Sequence, residues 1–235
     1  MTKRRRSAGF LIGLSIVAAL AVAGLTNLGL WQIHRLAWKR DLIHKVETRI
    51  HAPPIAAPRQ AGVDDAYLRV TASGRFLHDR ATLVQAVTAR GAGYWVMTPL
   101  ETDRGFTLLV NRGFVPPEAR HSYARPRGTV RIVGLLRLSE LRGGFLRAND
   151  PRADRWYSRD VAAIAKARHL PSPLAGYFMD AEADPASNAL PIGGLTVVSF
   201  PNSHLSYAIT WFVLAAMVAG AYMMLMRHEW KERQG

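Results

Sequence analysis

Cysteine is absent from this 235-residue chain. That absence excludes disulfide frameworks, thiolate nucleophiles, CxxC metal or copper-relay sites, iron–sulfur clusters and CxxCH haem attachment. There is also no GxSxG elbow, HExxH pair or Walker-type glycine loop, so the common hydrolase and nucleotide-binding signatures are missing. No two of the eight histidines stand three or four residues apart, which removes a helical zinc pair. Acidic residues are scarce, 17 against 31 Lys plus Arg, and the net charge is +14. Of the acids, Asp64, Asp65, Asp79, Glu101 and Asp103 fall at the ends of expected strands. Nothing in their spacing selects an acid/base pair, and exposed turn residues are their default role. The chain therefore reads as a non-enzyme.

Charge is missing locally as well. Phe10 to Trp31 and Leu205 to Met226 are uncharged runs of 22 residues each, and a helix of that length reaches about 33 Å, enough for a hydrocarbon core of about 30 Å. Lys3, Arg4, Arg5 and Arg6 precede the first run, and Arg227, Lys231 and Arg233 follow the second. Basic flanks at both outer ends place both termini in the cytoplasm. The expected organisation is a cytoplasmic segment 1–9, a span 10–31, an extramembrane domain 32–203, a span 204–226 and a cytoplasmic segment 227–235. In a bacterium this is a two-span inner-membrane protein with a periplasmic domain. A signal peptide cleaved after Ala21-Val22-Ala23 is the competing reading, but apolar sequence continues to Trp31 and completes a span. Gly9 with Gly13, and Ala216 with Gly220, have the small-xxx-small spacing through which two spans can touch.

From Gln32 to about Ile50 the pattern predicts a helix leaving the membrane, with Trp31, Arg35, Trp38, Leu42 and Val46 on one face, stopped by Pro53, Pro54 and Pro58. Five β-rich stretches follow: Tyr67 to Phe76, Ala81 to Val87, Tyr94 to Leu100, Phe106 to Val115 and Thr129 to Leu138. They predict an antiparallel sheet or small barrel. Asn149-Asp150-Pro151 reads as a turn, a short helix capped by Ser158 or Asp160 runs through His169, and Ile192 to Phe200 is an expected last strand. The fold class is thus an integral membrane α plus β protein, two transmembrane helices flanking a mainly antiparallel β domain. Residues 32–204 carry 24 Lys or Arg against 15 Asp or Glu, a basic surface suited to anionic headgroups of membrane lipids or to an acidic partner. Nucleic acid is not an expected partner, because the charges are scattered without a compact stripe.

In PNSHLSYAITWF, Pro201, Asn202 and Ser203 begin a helix and His204 lies in its first turn. Tyr207, Ala208 and Trp211 follow at i+3, i+4 and i+7, which stacks an imidazole, a phenol or small gap, and an indole on one face. A flat apolar ligand with a central metal, such as haem, suits that face. An interfacial aromatic belt accounts for the same residues. After the first span, Arg35 emerges about one turn beyond the membrane edge, where a headgroup phosphate and a haem propionate are equally suitable partners. His34 is a second histidine at the same membrane face. In VNRGFVP, Gly113 permits unusual backbone angles and Pro116 ends pairing. Arg112 there is either a strand-end residue or a contact for a haem carboxylate or partner subunit.

With LGLWQIHRLAWK (Trp31, Gln32, Arg35, Trp38, Lys39), Tyr67 with Val70 and Gly74, GYWVMTPL, LLVNRGFVP, Gly134, the Asn149, Pro151, Trp156 and Asp160 pattern, and NSHLSYAITWF in order, the chain resembles the surfeit locus protein 1 family. The resemblance runs almost end to end. It implies a non-enzymatic assembly factor for haem–copper cytochrome c oxidase that binds haem a at the outer membrane face and assists its insertion into the catalytic subunit. Haem a synthase is a further implied partner. His204 occupies the position that the resemblance associates with haem a, and Trp211 lies on the same motif. The expected site then has His204 as ligand to the iron, Trp211 and Tyr207 shaping the pocket and Arg35 holding a propionate. A haem-independent scaffold that binds oxidase subunits through its basic domain is the alternative.

Overall fold

The structure, a computed structural model, describes residues 7–141, 147–184, 189–196 and 202–234. The chain divides into two units, Val46–Val198 and the pair Met1–Lys45 with Ser199–Gly235.

The first unit is built on seven strands: β1 (Ile55–Ala56), β2 (Arg69–Phe76), β3 (Thr82–Thr88), β4 (Gly91–Thr102), β5 (Thr107–Val115), β6 (Thr129–Leu138) and β7 (Leu174–Ala181). Their order is β1-β2-β6-β7-β5-β4-β3, and β4 also pairs with β2. The 12-residue β4 is long enough for both jobs: Gly91 to Met97 pair with β3, and Leu100 to Thr102 pair with β2. That second pairing closes β2, β6, β7, β5 and β4 into a five-stranded barrel and leaves β1 and β3 as additions. Closure needs a close approach at Gly74, where a Cβ would lie 2.1 Å from the Glu101 carbonyl oxygen, so only glycine fits. Most pairs are antiparallel, while β1–β2 and β5–β7 are parallel.

Side chains alternate along the strands as the pleat requires. Leu108 and Val110 of β5, with Tyr177 and Met179 of β7, join Val70, Phe76, Leu100 and Leu136 in one core cluster. Leu109 and Phe178 point the other way and pack with Val84, Met97, Trp156, Val161 and Ile164. Helix α2 (Val161–Ala167) covers that second face. Strands β5 and β7 read as nearly continuous apolar runs because both of their faces are buried.

All five expected strands form. Tyr67 takes φ +64°, so β2 begins at Arg69 instead. The last expected strand does not form over the residues described. Ile192 makes one bridge to Phe114, residues 193–196 are not strand, and 197–200 lie outside the described residues. Strand β7, which the pattern did not predict, is the one that completes the barrel. The short helix is capped by Asp160, whose carboxylate accepts from the Ala163 N–H at 3.1 Å. It stops at Ala167, before His169 at φ +49°.

The second unit pairs helix α1 (Ala8–His51) with helix α3 (His204–Gln234). Both are long and apolar enough to cross a membrane. The 44-residue α1 is about 66 Å long, so it absorbs both the first span and the expected helix beyond it. Of the face formed by Trp31, Arg35, Trp38, Leu42 and Val46, only Val46 is buried; Trp31 is 57% and Trp38 53% exposed, and the buried positions nearer the membrane are Gly29 and Leu36. The helices run antiparallel, with Ser15 against Tyr222, Gly29 against Phe212 and Gln32 against His204. The expected small-residue contacts are absent, since a Cβ on Gly9, Gly13 or Gly220 would meet nothing within 4 Å. The close approach is at Gly29, where a Cβ would lie 2.7 Å from the Phe212 ring.

Candidate functional site

His204 opens α3. Its backbone is set by the Tyr207 N–H bonding the Ser203 carbonyl at 3.2 Å, the first turn of the helix. The ring is half-buried and turns toward α1, where Nδ1 lies 2.7 Å from Gln32 Oε1. A carboxamide oxygen only accepts, so Nδ1 is the donor in this contact, and in a neutral ring Nε2 then keeps its lone pair. That is the form of imidazole that binds a metal. Gln32 can reach because Gly29, one turn earlier, lets the helices approach.

The other expected residues divide around this pair. Trp211 is half-buried, two turns along the same face as His204. Tyr207 is 54% exposed, on the outer flank of α3. Arg35 is exposed and stacks its guanidinium over Trp38 at 4.1 Å, about one turn beyond Gln32. The structure therefore joins His204 to Gln32 directly and leaves Tyr207 and Arg35 on the outside of the helix pair. His34 does not join the site from this chain. It lies about 200° around α1 from Gln32, is exposed, and holds Nδ1 against the Leu30 carbonyl at 2.9 Å.

A second polar centre lies in the β domain. Asp180 of β7 is 3% exposed and accepts from Asn111 Nδ2 at 2.8 Å, Arg159 and Arg137 at 3.0 Å each, and Thr196 Oγ1 at 2.9 Å. Arg159 also grips Glu140, with Nε 2.9 Å from Oε2. Burial pulls the Arg159 pKa down, but Asp180 and Glu140 outweigh it and hold it above the usual guanidinium value. Asn111 further accepts from the Gly113 N–H at 3.1 Å. At Gly113, φ is +125° and a Cβ would lie 2.2 Å from the Ile192 carbonyl oxygen. VNRGFVP is therefore a folding motif. Its Arg112 donates to the Ala124 carbonyl at 2.7 Å and covers Phe76, with burial, aided by Arg125, lowering its pKa.

The Asn149 to Asp160 pattern is structural too. Asn149 Oδ1 accepts from the N–H groups of Tyr157 and Ser158, at 2.7 and 3.0 Å, and Trp156 is buried with its indole donating to Asp154 at 2.7 Å. Asp180 was missed from sequence. Its only signal was an acid inside the apolar run Tyr177-Phe178-Met179-Asp180-Ala181. Among the described residues no cluster of three or more His, Asp or Glu is arranged to hold a bare metal ion.

Comparison with known proteins bears on the whole arrangement. The SURF1 family profile matches residues 19–216. Surfeit locus protein 1 of Rattus norvegicus is 38% identical over 213 residues, covering 81% of this chain and 68% of the rat protein. Surfeit locus protein 1 of Homo sapiens is 35% identical over 214 residues, covering 81% and 70%. A SURF1-like protein of Monosiga brevicollis is 34% identical over 230 residues, covering 89% and 87%. The matched region holds both the His204–Gln32 pair and the Asp180 network, and the chain belongs to the SURF1 family.

Proposed function

We propose that this protein is an assembly factor for haem–copper cytochrome c oxidase that holds haem a at His204 and helps pass it to the catalytic subunit. The observation that carries the reading is the His204 ring itself, with Nδ1 engaged by Gln32 at 2.7 Å and Nε2 left to bind iron. Haem a is cargo here, a preformed iron porphyrin. Trp211 offers an aromatic wall along the same face of α3, and Arg35, swinging off Trp38, offers a cation for a propionate. A chain without cysteine suits a holder of haem better than a copper relay.

Residues 10–31 and 204–226 span the inner membrane of a bacterium in this reading, with segments 1–9 and 227–235 cytoplasmic and 32–203 periplasmic. The basic flanks at both outer ends support that orientation. The oxidase catalytic subunit is the recipient and haem a synthase the donor.

Protein purified in detergent from cells that make haem a should carry a haem absorbance band, and His204→Ala should remove most of it. An undiminished band in the variant rejects the site. The second reading, a scaffold without haem, draws on the exposed Arg75, Arg90, Arg125 and Arg127 of the β domain. It requires oxidase assembly to survive His204→Ala and to fail when those arginines are reversed to glutamate.

A further inference from the structure

We propose that Gln32 is the positioning residue of the His204 site, fixing the tautomer and plane of the ring so that Nε2 presents its lone pair to the haem iron. The inference rests on the haem reading above and adds the device that prepares the ligand. A free imidazole exchanges its proton between two nitrogens and turns about its χ angles, and both freedoms oppose ligation through Nε2. The Gln32 oxygen at 2.7 Å removes both at once. A hydrogen-bond partner on the second nitrogen is the general means by which proteins orient and tune a ligating histidine.

The position of Gln32 supports this role. It is half-buried on the face of α1 that meets α3, between buried Gly29 and buried Leu36. Both partners are half-buried there, so water competes less than at an exposed pair and the bond constrains the ring more. His34, two residues on, shows the contrast. Its Nδ1 is held by the backbone of its own helix at Leu30, so its tautomer owes nothing to Gln32.

The test uses the full chain in detergent, labelled with 15N-histidine. First, without haem and at a pH where imidazoles are neutral, nitrogen NMR should show His204 protonated at Nδ1, its signals assigned by their loss in His204→Ala. Gln32→Leu should move His204 toward the Nε2-protonated form and leave His34 unchanged. Second, on titration with haem, Gln32→Leu should weaken binding about 10–100-fold. Gln32→Glu should retain haem and lower the midpoint potential of the iron, because a carboxylate makes the imidazole a stronger donor.

Should Gln32→Leu keep both the wild-type tautomer and the wild-type affinity while His204→Ala loses haem, the positioning role is overturned and the ligand stands. Retention of haem by His204→Ala overturns the parent reading instead, and the haem-free tautomer measurement still reports on the Gln32 bond. If Gln32→Leu does not fold, Gln32→Glu decides: unchanged affinity and an unchanged potential overturn the inference.

Discussion

Asp180 faces Arg137 and Arg159 inside the β domain, with side chains that are 3%, 19% and 12% exposed. Removing the carboxylate takes away the buried partner of both guanidinium groups and leaves them only Glu140, whose side chain is 36% exposed. Asp180→Ala should therefore destabilise the domain by about 3–5 kcal/mol, lowering its thermal midpoint by roughly 10 °C. Asp180→Asn should cost less, because it keeps an acceptor for one donor. Circular dichroism melts of the purified protein check this, and a midpoint within a degree of wild type in Asp180→Ala would contradict the assigned network. The same residues show why single side chains were partly illegible from sequence. Asn111 and Gly113 lay in a motif that attracted attention, yet their work is to seat Asp180 and the Ile192 segment. Asp180 itself lay in a strand that the pattern missed, since an acid between Met179 and Ala181 breaks no periodicity rule and announces no partner.

The helix pair is governed by a seven-residue spacing. Ala208, Ala215, Tyr222 and Glu229 on α3, and Ser15, Gly29 and Leu36 on α1, recur at that interval or twice it, and all are buried or half-buried. A seven-residue spacing is the seam of an antiparallel pair packed as in a coiled coil, and it explains why small-xxx-small spacing pointed to the wrong glycines. In the apolar half of the seam Ser15 donates to the Leu11 carbonyl at 2.8 Å, so its oxygen accepts from Tyr222 at 2.6 Å. At the other end the same register delivers Gln32 to His204. Gly29→Val should overpack the seam against Phe212, costing about 1–3 kcal/mol and parting the pair. Spin labels on cysteines placed at Leu28 and Val213, in a chain that has none of its own, should report a longer and broader distance. Adding Phe212→Ala should restore it, and no change in the single variant would contradict the close approach. Where an element was misread, the cause was context: the unpredicted β7 is buried on both faces, and the expected strand at Ile192 is reduced to a single bridge where the chain crosses over Gly113.

Across the whole molecule, charge and hydropathy were the most legible features, because membrane crossing depends on composition summed over some 20 residues and not on any one contact. The proposed orientation makes a direct prediction. Val63 is 76% and Trp230 65% exposed. Val63→Cys should react with a membrane-impermeant maleimide in cells whose outer membrane is opened, and Trp230→Cys only after lysis. Labelling of Trp230→Cys in unlysed cells, with or without Val63→Cys, would contradict the proposed topology. In the proposed orientation the His204 site lies at the outer face, where the proposed function requires haem a to be handed on. Its existence is tested most directly by equilibrium titration of haem a into the detergent-purified wild type, His204→Ala and His34→Ala proteins, followed by absorbance. The account predicts saturable binding in wild type and His34→Ala and its loss in His204→Ala; equal affinity in wild type and His204→Ala would contradict it.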